Sequence, residues 1–325
     1  MAQAEAAGAV VAIGVFDGVH AGHQALIRSA AESAQAEGRP LVAVTFDPDP
    51  MSVLIGPGVV PYLTTVDRRT ALLLEAGASS VHVLDFDEEL QLTPPEDFVR
   101  RHLVDTLDAR TVVVGPDFQY GYRASGTVST LREAGARHGF DVIAVDMLGD
   151  GTDRWSATRI RSLVADGAVA QAAVGLTRPH GLEGVVVHGD RRGRELGFPT
   201  ANLSWAGHPA IPADGVYAGF LVTADERMPA AISVGTNPHF DGRERRVESF
   251  AIDRTGLDLY GKAVRVDFLE RLRGQQAFAS LDDLVAAMAN DVTQARELAA
   301  RDLAARDLAA RDLAAPDLAE GGERA

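Results

Sequence analysis

The stretch AVVAIGVFDGVHAGHQALIRSAAESAQAEGRPLVAVTF, residues 9–46, decides the fold. Residues 9–16 (AVVAIGVF) and 40–46 (PLVAVTF) are short apolar runs rich in branched side chains. HQALIRSAAESAQAEG, between them, has helical spacing that stops at Gly38. This is a strand, helix, strand unit. The alternation continues with helices expected over 66–76, 95–107 and 128–138 and strands over 80–85, 110–115 and 140–146. Strands alternating with helices predict an α/β doubly wound parallel sheet. Ligands of such sheets bind beyond the carboxyl ends of the strands, where His20 and His23 fall.

Past residue 180 the pattern changes. GLEGVVVHGD, GVYAGFLV, PAAISVG, RRVESFAID and KAVRVDFLERL are strand-like runs separated by turn residues, and they predict a compact antiparallel β-barrel. Two short helices are expected over 156–176, a linker at Arg178-Pro179, and a closing C-terminal helix over 280–300. The expected domains are 1–178 and 179–298, followed by a low-complexity tail over 299–325. The RDLAA repeat of that tail advances about 500° per five residues, so Leu303, Leu308 and Leu313 wind around a helix instead of forming a stripe. A frayed extension is the expectation, with a docked element as the alternative.

Composition removes several chemistries. No cysteine is present, which excludes thiol nucleophiles, disulfides and Cys-ligated zinc. The formal net charge of -15 disfavours a long nucleic acid as partner, and no apolar run approaches the roughly 20 residues of a membrane span. The start lacks the pattern of a secretory signal, so a cytoplasmic enzyme acting on small molecules is expected. Lys262 is the one lysine, and Ala263 follows it, so there is no Walker A loop. Phosphate handling would fall to backbone amides, arginine, histidine and metal. GPGVVP at 56–61 fails the dinucleotide fingerprint and no GxSxG elbow exists, which disfavours an oxidoreductase and a hydrolase.

In GVFDGVHAGHQ, Gly14, Gly18 and Gly22 allow close backbone approach to a ligand, and the helix that follows offers free amides and its positive dipole end. Two imidazoles spaced i, i+3 there can donate to a polyphosphate and stabilise charge building on a bridging oxygen. Two other readings stand beside this one: histidines capping a surface helix, and a zinc pair lacking a third ligand at helical spacing.

GVFDGVHAGHQALI resembles the HxGH signature of nucleotidyltransferases, and TFDPDP (45–50), VGPDFQYG (114–121) and SATRIR (156–161) extend that resemblance. HGDRRGRELGFPTANL (188–203), PADGVYAG (212–219), SVGTNPHFDGRERRVESFAID (233–253) and LDLYGKAVRVDFLERLR (257–273) resemble the riboflavin kinase module. Together they are similar to the bifunctional bacterial riboflavin kinase/FMN adenylyltransferase (FAD synthetase) family. The resemblance implies phosphorylation of riboflavin to FMN by the second half and adenylylation of FMN to FAD by the first, with ATP as co-substrate and Mg²⁺ as cofactor. It implies catalytic roles for Glu248, as base toward the ribityl hydroxyl, and for His20 and His23. It implies nucleotide contacts from Gly14, Phe16, Asp17, Gly18, Arg161, Gly189, Gly193 and Arg194. Flavin contacts fall to Asp117, Phe118 and Tyr120, and metal contacts to Thr200 and Asn202. Read from the strand alone, Glu248 is an outward residue balanced by Arg245 or Arg246.

Three positions depart from the family pattern: Asp49 where TFxPHP has histidine, Ala157 inside the usual SST, and Pro116 beside Asp117. An acid near a bound triphosphate is expected to repel it unless a cation lies between. Two alternatives follow, a riboflavin kinase with a degenerate first domain and a flavin-binding paralogue without turnover. A homo-oligomer is compatible with either.

Overall fold

The apolar runs at 10–13, 41–47 and 111–114 become central strands covered on both faces. The computed structural model describes residues 8–314 apart from 57, 147–148, 150, 152, 190–192, 194–195 and 237–244. The chain divides into one unit of Met1–Ser162, Val174–Arg178 and Gly207–Ala210, and a second of Leu163–Ala173, Pro179–Ala206 and Ile211–Ala325.

The first unit runs β1 (Val10–Ile13), α1 (Ala21–Glu37), β2 (Leu41–Asp47), α2 (Pro50–Ile55), α3 (Val66–Glu75), β3 (Ser80–Asp85), α4 (Glu88–Leu92) and α5 (Pro95–Phe98), which continues with π-helical winding over Val99–Thr106. Then come β4 (Thr111–Val114), the short ribbon β5 (Gln119–Tyr120) and β6 (Gly126–Thr127), α6 (Val128–His138) and β7 (Asp141–Ala144). Five parallel strands lie in the order β3-β2-β1-β4-β7, with Val10 opposite both Leu41 and Thr111. Successive side chains of a strand point to opposite faces. Val11, Ile13, Val42, Val44, Val112 and Val114 therefore pack with Leu103 and Leu131. Val10, Ala12, Leu41, Ala43 and Val113 face the other way, toward Leu26, Ile27, Leu72 and Leu73. The chain leaves β1 toward β2 and later returns to β1's other side as β4, so the topological switch lies between β1 and β4. That crevice is where a doubly wound sheet places a ligand.

The second unit carries β8 (His180–Val187), β9 (Ala201–Ser204), β10 (Gly215–Val222), β11 (Arg227–Thr236), β12 (Arg245–Ala251) and β13 (Ala263–Arg273). They close into a barrel in the order β10-β11-β12-β9-β8-β13. Leu182, Tyr217, Ile232, Val247 and Phe268 fill it, with the Tyr217 and Phe268 rings edge to face at 5.5 Å. Preceding the barrel are α7 (Ala157–Ala165) and α8 (Val169–Leu176). The last helix, α9 (Leu281–Ala314), lays Ala295 against Ala218 and Ile252. Arg273 ties β13 to it through three bonds to Asp291, at 3.0, 3.1 and 2.7 Å.

Two local expectations change. The sequence pattern missed α2, α4 and the β5–β6 ribbon, which are too short to show a period. The repeat tail does not fray at residue 300: α9 runs on to Ala314, and Arg227 pairs with Asp302 at 3.1 Å. Winding of the leucines is retained, with Leu303 and Leu308 exposed. Phe268→Ala is expected to destabilise the barrel by about 3–5 kcal/mol. Leu308→Ser should shift stability by no more than about 0.5 kcal/mol, both read by denaturant unfolding of the full chain.

Candidate active sites

The loop joining β1 to α1 is held from every side. Asp17 is 2% exposed, and its carboxylate accepts from the Leu63 and Thr64 amides at 2.9 and 3.0 Å and from Arg161 Nη2 at 2.7 Å. Arg161 Nε donates to the Pro61 carbonyl at 2.7 Å, so the ion pair binds the segment around residues 61–64 to the loop. The Gly18 amide donates to Thr64 Oγ1 at 3.1 Å, Arg178 Nη2 donates to the Gly18 carbonyl at 2.6 Å, and Gln24 Nε2 to the Val19 carbonyl at 3.0 Å. Phe16 and Val19 adopt positive φ of 55° and 40°, a strained conformation that this surrounding network maintains. Gly18 combines φ 77° with a Cβ position that would stand 2.8 Å from Leu63, so a side chain is barred there.

On this platform the His20 and His23 rings stack at 3.6 Å between centroids, and Phe16 meets His23 edge-on at 5.2 Å. His20 occupies the N-cap position of α1 without making a side-chain cap bond, and it is buried, so the surface-cap reading does not hold. Both Nδ1 atoms are buried without a partner. A buried polar atom left unsatisfied is costly, and a pair of them at a helix start awaits a ligand. Burial lowers the His20 pKa to about 4, with Asp17 raising it and Arg178 and Arg161 lowering it. His23 is pushed well below the usual value by burial first, then by His20, Arg69 and Arg161. Both imidazoles are therefore neutral near pH 7, each with one N–H to donate.

Other sequence-selected positions separate into two sorts. Phe16 is 0% exposed and Asp17 is spent on protein partners, so neither is open to a nucleotide; they support the histidines from below. Gly14, Asp117, Phe118 and Tyr120 line one cavity of about 840 Å³, together with Phe46, Met51, Leu54, Phe86 and Arg123. The Phe118 and Tyr120 rings stack at 5.6 Å, and Tyr120 Oη lies 3.3 Å from Thr130 Oγ1. All three departures from the family pattern have local explanations. Pro116 follows Gly115 in a turn closed by the Phe118 amide at 3.2 Å, a position that suits proline. Ala157 opens α7 while Ser156 Oγ accepts from the Arg159 amide at 3.2 Å. Asp49 N-caps α2, its carboxylate taking the Met51 amide at 2.8 Å.

In the barrel, β12 sets Glu248 beside Asn202 of β9, and Thr200 Oγ1 donates to Glu248 at 3.0 Å. Arg245 is engaged with Asp214 at 2.6 Å, so it does not balance Glu248. Thr200 forms part of two cavities. One, about 430 Å³, is lined by Gly193, Phe198, Glu248, Phe250, Phe278 and Met288. The other, about 340 Å³, is lined by Ser249, Arg254, Thr255, Gly256 and Tyr260. A Cβ on Gly189 would lie 2.4 Å from the Asn202 side chain, so glycine keeps that approach open. Arg194 lies outside the described residues. Sequence reading missed Thr64, Arg69, Arg178 and Gln24, whose partners are mostly remote in the chain.

Because the folded His20 pKa lies below its unfolded value of 6.5, the unfolded chain takes up protons first as pH falls. His20 thus favours folding fully above pH 6.5 and loses that contribution between pH 6.5 and about 4. The expected loss is about 3 kcal/mol across this window. His20→Gln should flatten the pH dependence of unfolding between those limits, measured by denaturant titration; an unchanged slope would count against a buried neutral imidazole.

The family described as FAD synthetase matches residues 2–159, and the family described as riboflavin kinase matches residues 176–299. The bifunctional riboflavin kinase/FMN adenylyltransferase of Escherichia coli K12 is 34% identical over 298 residues, covering 91% of this chain and 95% of that protein. The protein of the same name from Bacillus subtilis is 31% identical, covering 90% and 92%. A crystal structure described as a macrolide-efflux protein from Streptococcus pneumoniae superposes with a TM-score of 0.82 at 32% identity, covering 90% of this chain and 95% of that one. Among the described residues no helix is long and apolar enough to cross a membrane. With a parallel sheet that presents a histidine pair at its switch point, a closed barrel carrying Thr200, Asn202 and Glu248, and relatives matched along nine-tenths of its length, this chain belongs to the bifunctional riboflavin kinase/FMN adenylyltransferase family.

Proposed function

We propose that the chain makes FAD in two steps, phosphorylating riboflavin in the barrel and adenylylating the resulting FMN on the parallel sheet. The observation that carries the first step is the position of Thr200, shared by two cavities and bonded to Glu248 at 3.0 Å. The cavity with Phe198, Phe250, Phe278 and Met288 suits an isoalloxazine ring, and the one with Arg254 and Tyr260 suits a nucleotide. Glu248 accepts the proton of the ribityl 5′-hydroxyl as its oxygen attacks the γ-phosphorus of ATP, and ADP leaves. Phosphoryl transfer needs positioning and charge stabilisation more than covalent help.

Thr200 and Asn202 offer oxygen donors, which fit Mg²⁺, and with so few protein ligands most of its shell would be water and phosphate. When bound, the ion neutralises charge on the phosphates. Thr200 would be released from Glu248 to reach it, freeing the carboxylate to act as base.

In the first unit, Phe118 and Tyr120 hold the flavin of FMN within the cavity of about 840 Å³. Its phosphate oxygen attacks the α-phosphorus of ATP, the bond to the β-phosphate breaks, and pyrophosphate leaves. His20 and His23 donate N–H bonds to the phosphate oxygens where charge accumulates, beside the free amides opening α1. Asp17 and Arg161 act here as positioning residues.

Chromatographic separation of flavins after incubation with riboflavin, ATP and Mg²⁺ tests the whole reading; FMN followed by FAD is expected, and riboflavin left unchanged would overturn it. Glu248→Gln should lower riboflavin phosphorylation at least about 100-fold while FMN supplied directly is still adenylylated. Asp49 separates two roles. Asp49→Asn keeps a capping oxygen and should leave the KM for FMN within about twofold, whereas Asp49→Ala, losing about 1 kcal/mol of cap, should raise it about fivefold. A gain in FAD formation by Asp49→Asn would restore the electrostatic reading of that acid.

A further inference from the structure

Arg69 of α3 belongs to none of the motifs, yet it is 2% exposed. Its Nη1 donates to Thr45 Oγ1 at 3.2 Å and to the Phe46 carbonyl at 2.9 Å, both on β2, the strand beside β1. Nη2 stands 4.0 Å from Asp17 Oδ1, while Arg161 reaches the other carboxylate oxygen, Oδ2, at 2.7 Å. Thr45 Oγ1 in turn donates to the Val15 carbonyl at 2.8 Å, next to the strained Phe16. Two guanidiniums thus share one buried carboxylate, and the group carries one uncompensated positive charge. Arg69 Nε is buried without a partner, the same condition as the Nδ1 atoms of His20 and His23.

A buried excess charge is unfavourable alone and is stabilised by an opposite charge brought nearby. We propose, resting on the adenylyltransferase reading of this unit, that Arg69 is a positioning residue for that reaction: it supplies the unbalanced positive charge beneath the histidine pair that draws the ATP polyphosphate onto the α1 start. The charged groups facing the histidines are Asp17, Arg161 and Arg178 around His20, and Arg69 and Arg161 around His23, so one acid stands against three arginines. After burial and His20, Arg69 also lowers the His23 pKa, which keeps one ring nitrogen a donor and the other an acceptor.

The test uses the full chain carrying Arg69→Met, which keeps the stem and removes the charge, and Arg69→Lys, which keeps the charge and removes the fork. Adenylylation of supplied FMN is followed against ATP concentration and pH, with riboflavin phosphorylation in the same preparation as a control for the barrel. Arg69→Met is expected to raise the KM for ATP about tenfold or more with kcat within about threefold. The acid limb of its pH–rate profile should move to higher pH, and Arg69→Lys should recover at least half of the lost kcat/KM. Phosphorylation of riboflavin should not change. An unchanged KM and acid limb in Arg69→Met overturn the proposal, as does an equal fall of kcat in both variants accompanied by lower thermal stability, which marks a packing role. A parent protein that makes FMN but no FAD overturns the adenylyltransferase reading as well; FAD formation by the parent with an unaffected Arg69→Met overturns the present inference alone.

Discussion

A single buried carboxylate organises the first unit. Asp17 takes two backbone amides and the Arg161 guanidinium, and through them holds the β1–α1 turn against the segment around residues 61–64. Removing one partner from a buried pair costs about 3–5 kcal/mol because the other charge is left without compensation. What the pair secures is a backbone in which Phe16 and Val19 hold positive φ and the histidines that follow are stacked, with His20 buried, His23 half-buried and both pKa values lowered. Free, exposed histidines would spend part of any ligand's binding energy on being ordered and stripped of water. These have already been desolvated during folding, and that burial is the main reason their pKa values are lowered, with the nearby arginines adding to it.

The barrel solves the related problem of phosphoryl transfer with different parts. Its strands bring Asn202 and Glu248 side by side, and the residue two before Asn202 contributes a hydroxyl to the wall of two cavities. An acceptor and a donor substrate can then meet at one short polar segment while their ring systems lie apart in apolar surroundings. In the proposed reading the parallel sheet uses a helix start and a histidine pair, and the barrel uses a carboxylate and oxygen donors. Each arrangement suits its attacking group: a phosphate oxygen is already ionised near neutral pH and needs no base, whereas an alcohol does.

Much of this was legible in the chain. The three central strands β1, β2 and β4 are branched apolar runs, and burial on both faces is what such runs require, whereas the edge strands β3 and β7 are partly exposed. The HxGH segment and GFPTANL (197–203) were visible because their distinctive residues stand close together in sequence. Arg69, Arg178 and Gln24 were not, because each acts on backbone carbonyls distant in sequence, those of Phe46, Gly18 and Leu176. Asp49 has a second role, hidden for a related reason. Its charge suggested repulsion of a phosphate, but its oxygen caps α2, a helix of six residues with too little length for a periodic signal. The RDLAA tail was read from its lack of an apolar stripe, whereas helix propensity and the Arg227–Asp302 pair carry the helix on to Ala314.

Neutrality of the two histidines before ATP arrives is the point on which the adenylyl-transfer site rests. Nuclear magnetic resonance of ring-labelled histidine in the full chain, titrated with and without ATP, reads it directly. In the ligand-free protein the His20 resonance should titrate near pH 4 and that of His23 well below the usual histidine range, and both should move upward when the polyanion binds. Both titrating near 6.5, with no response to ATP, would contradict a buried pair placed to receive phosphate.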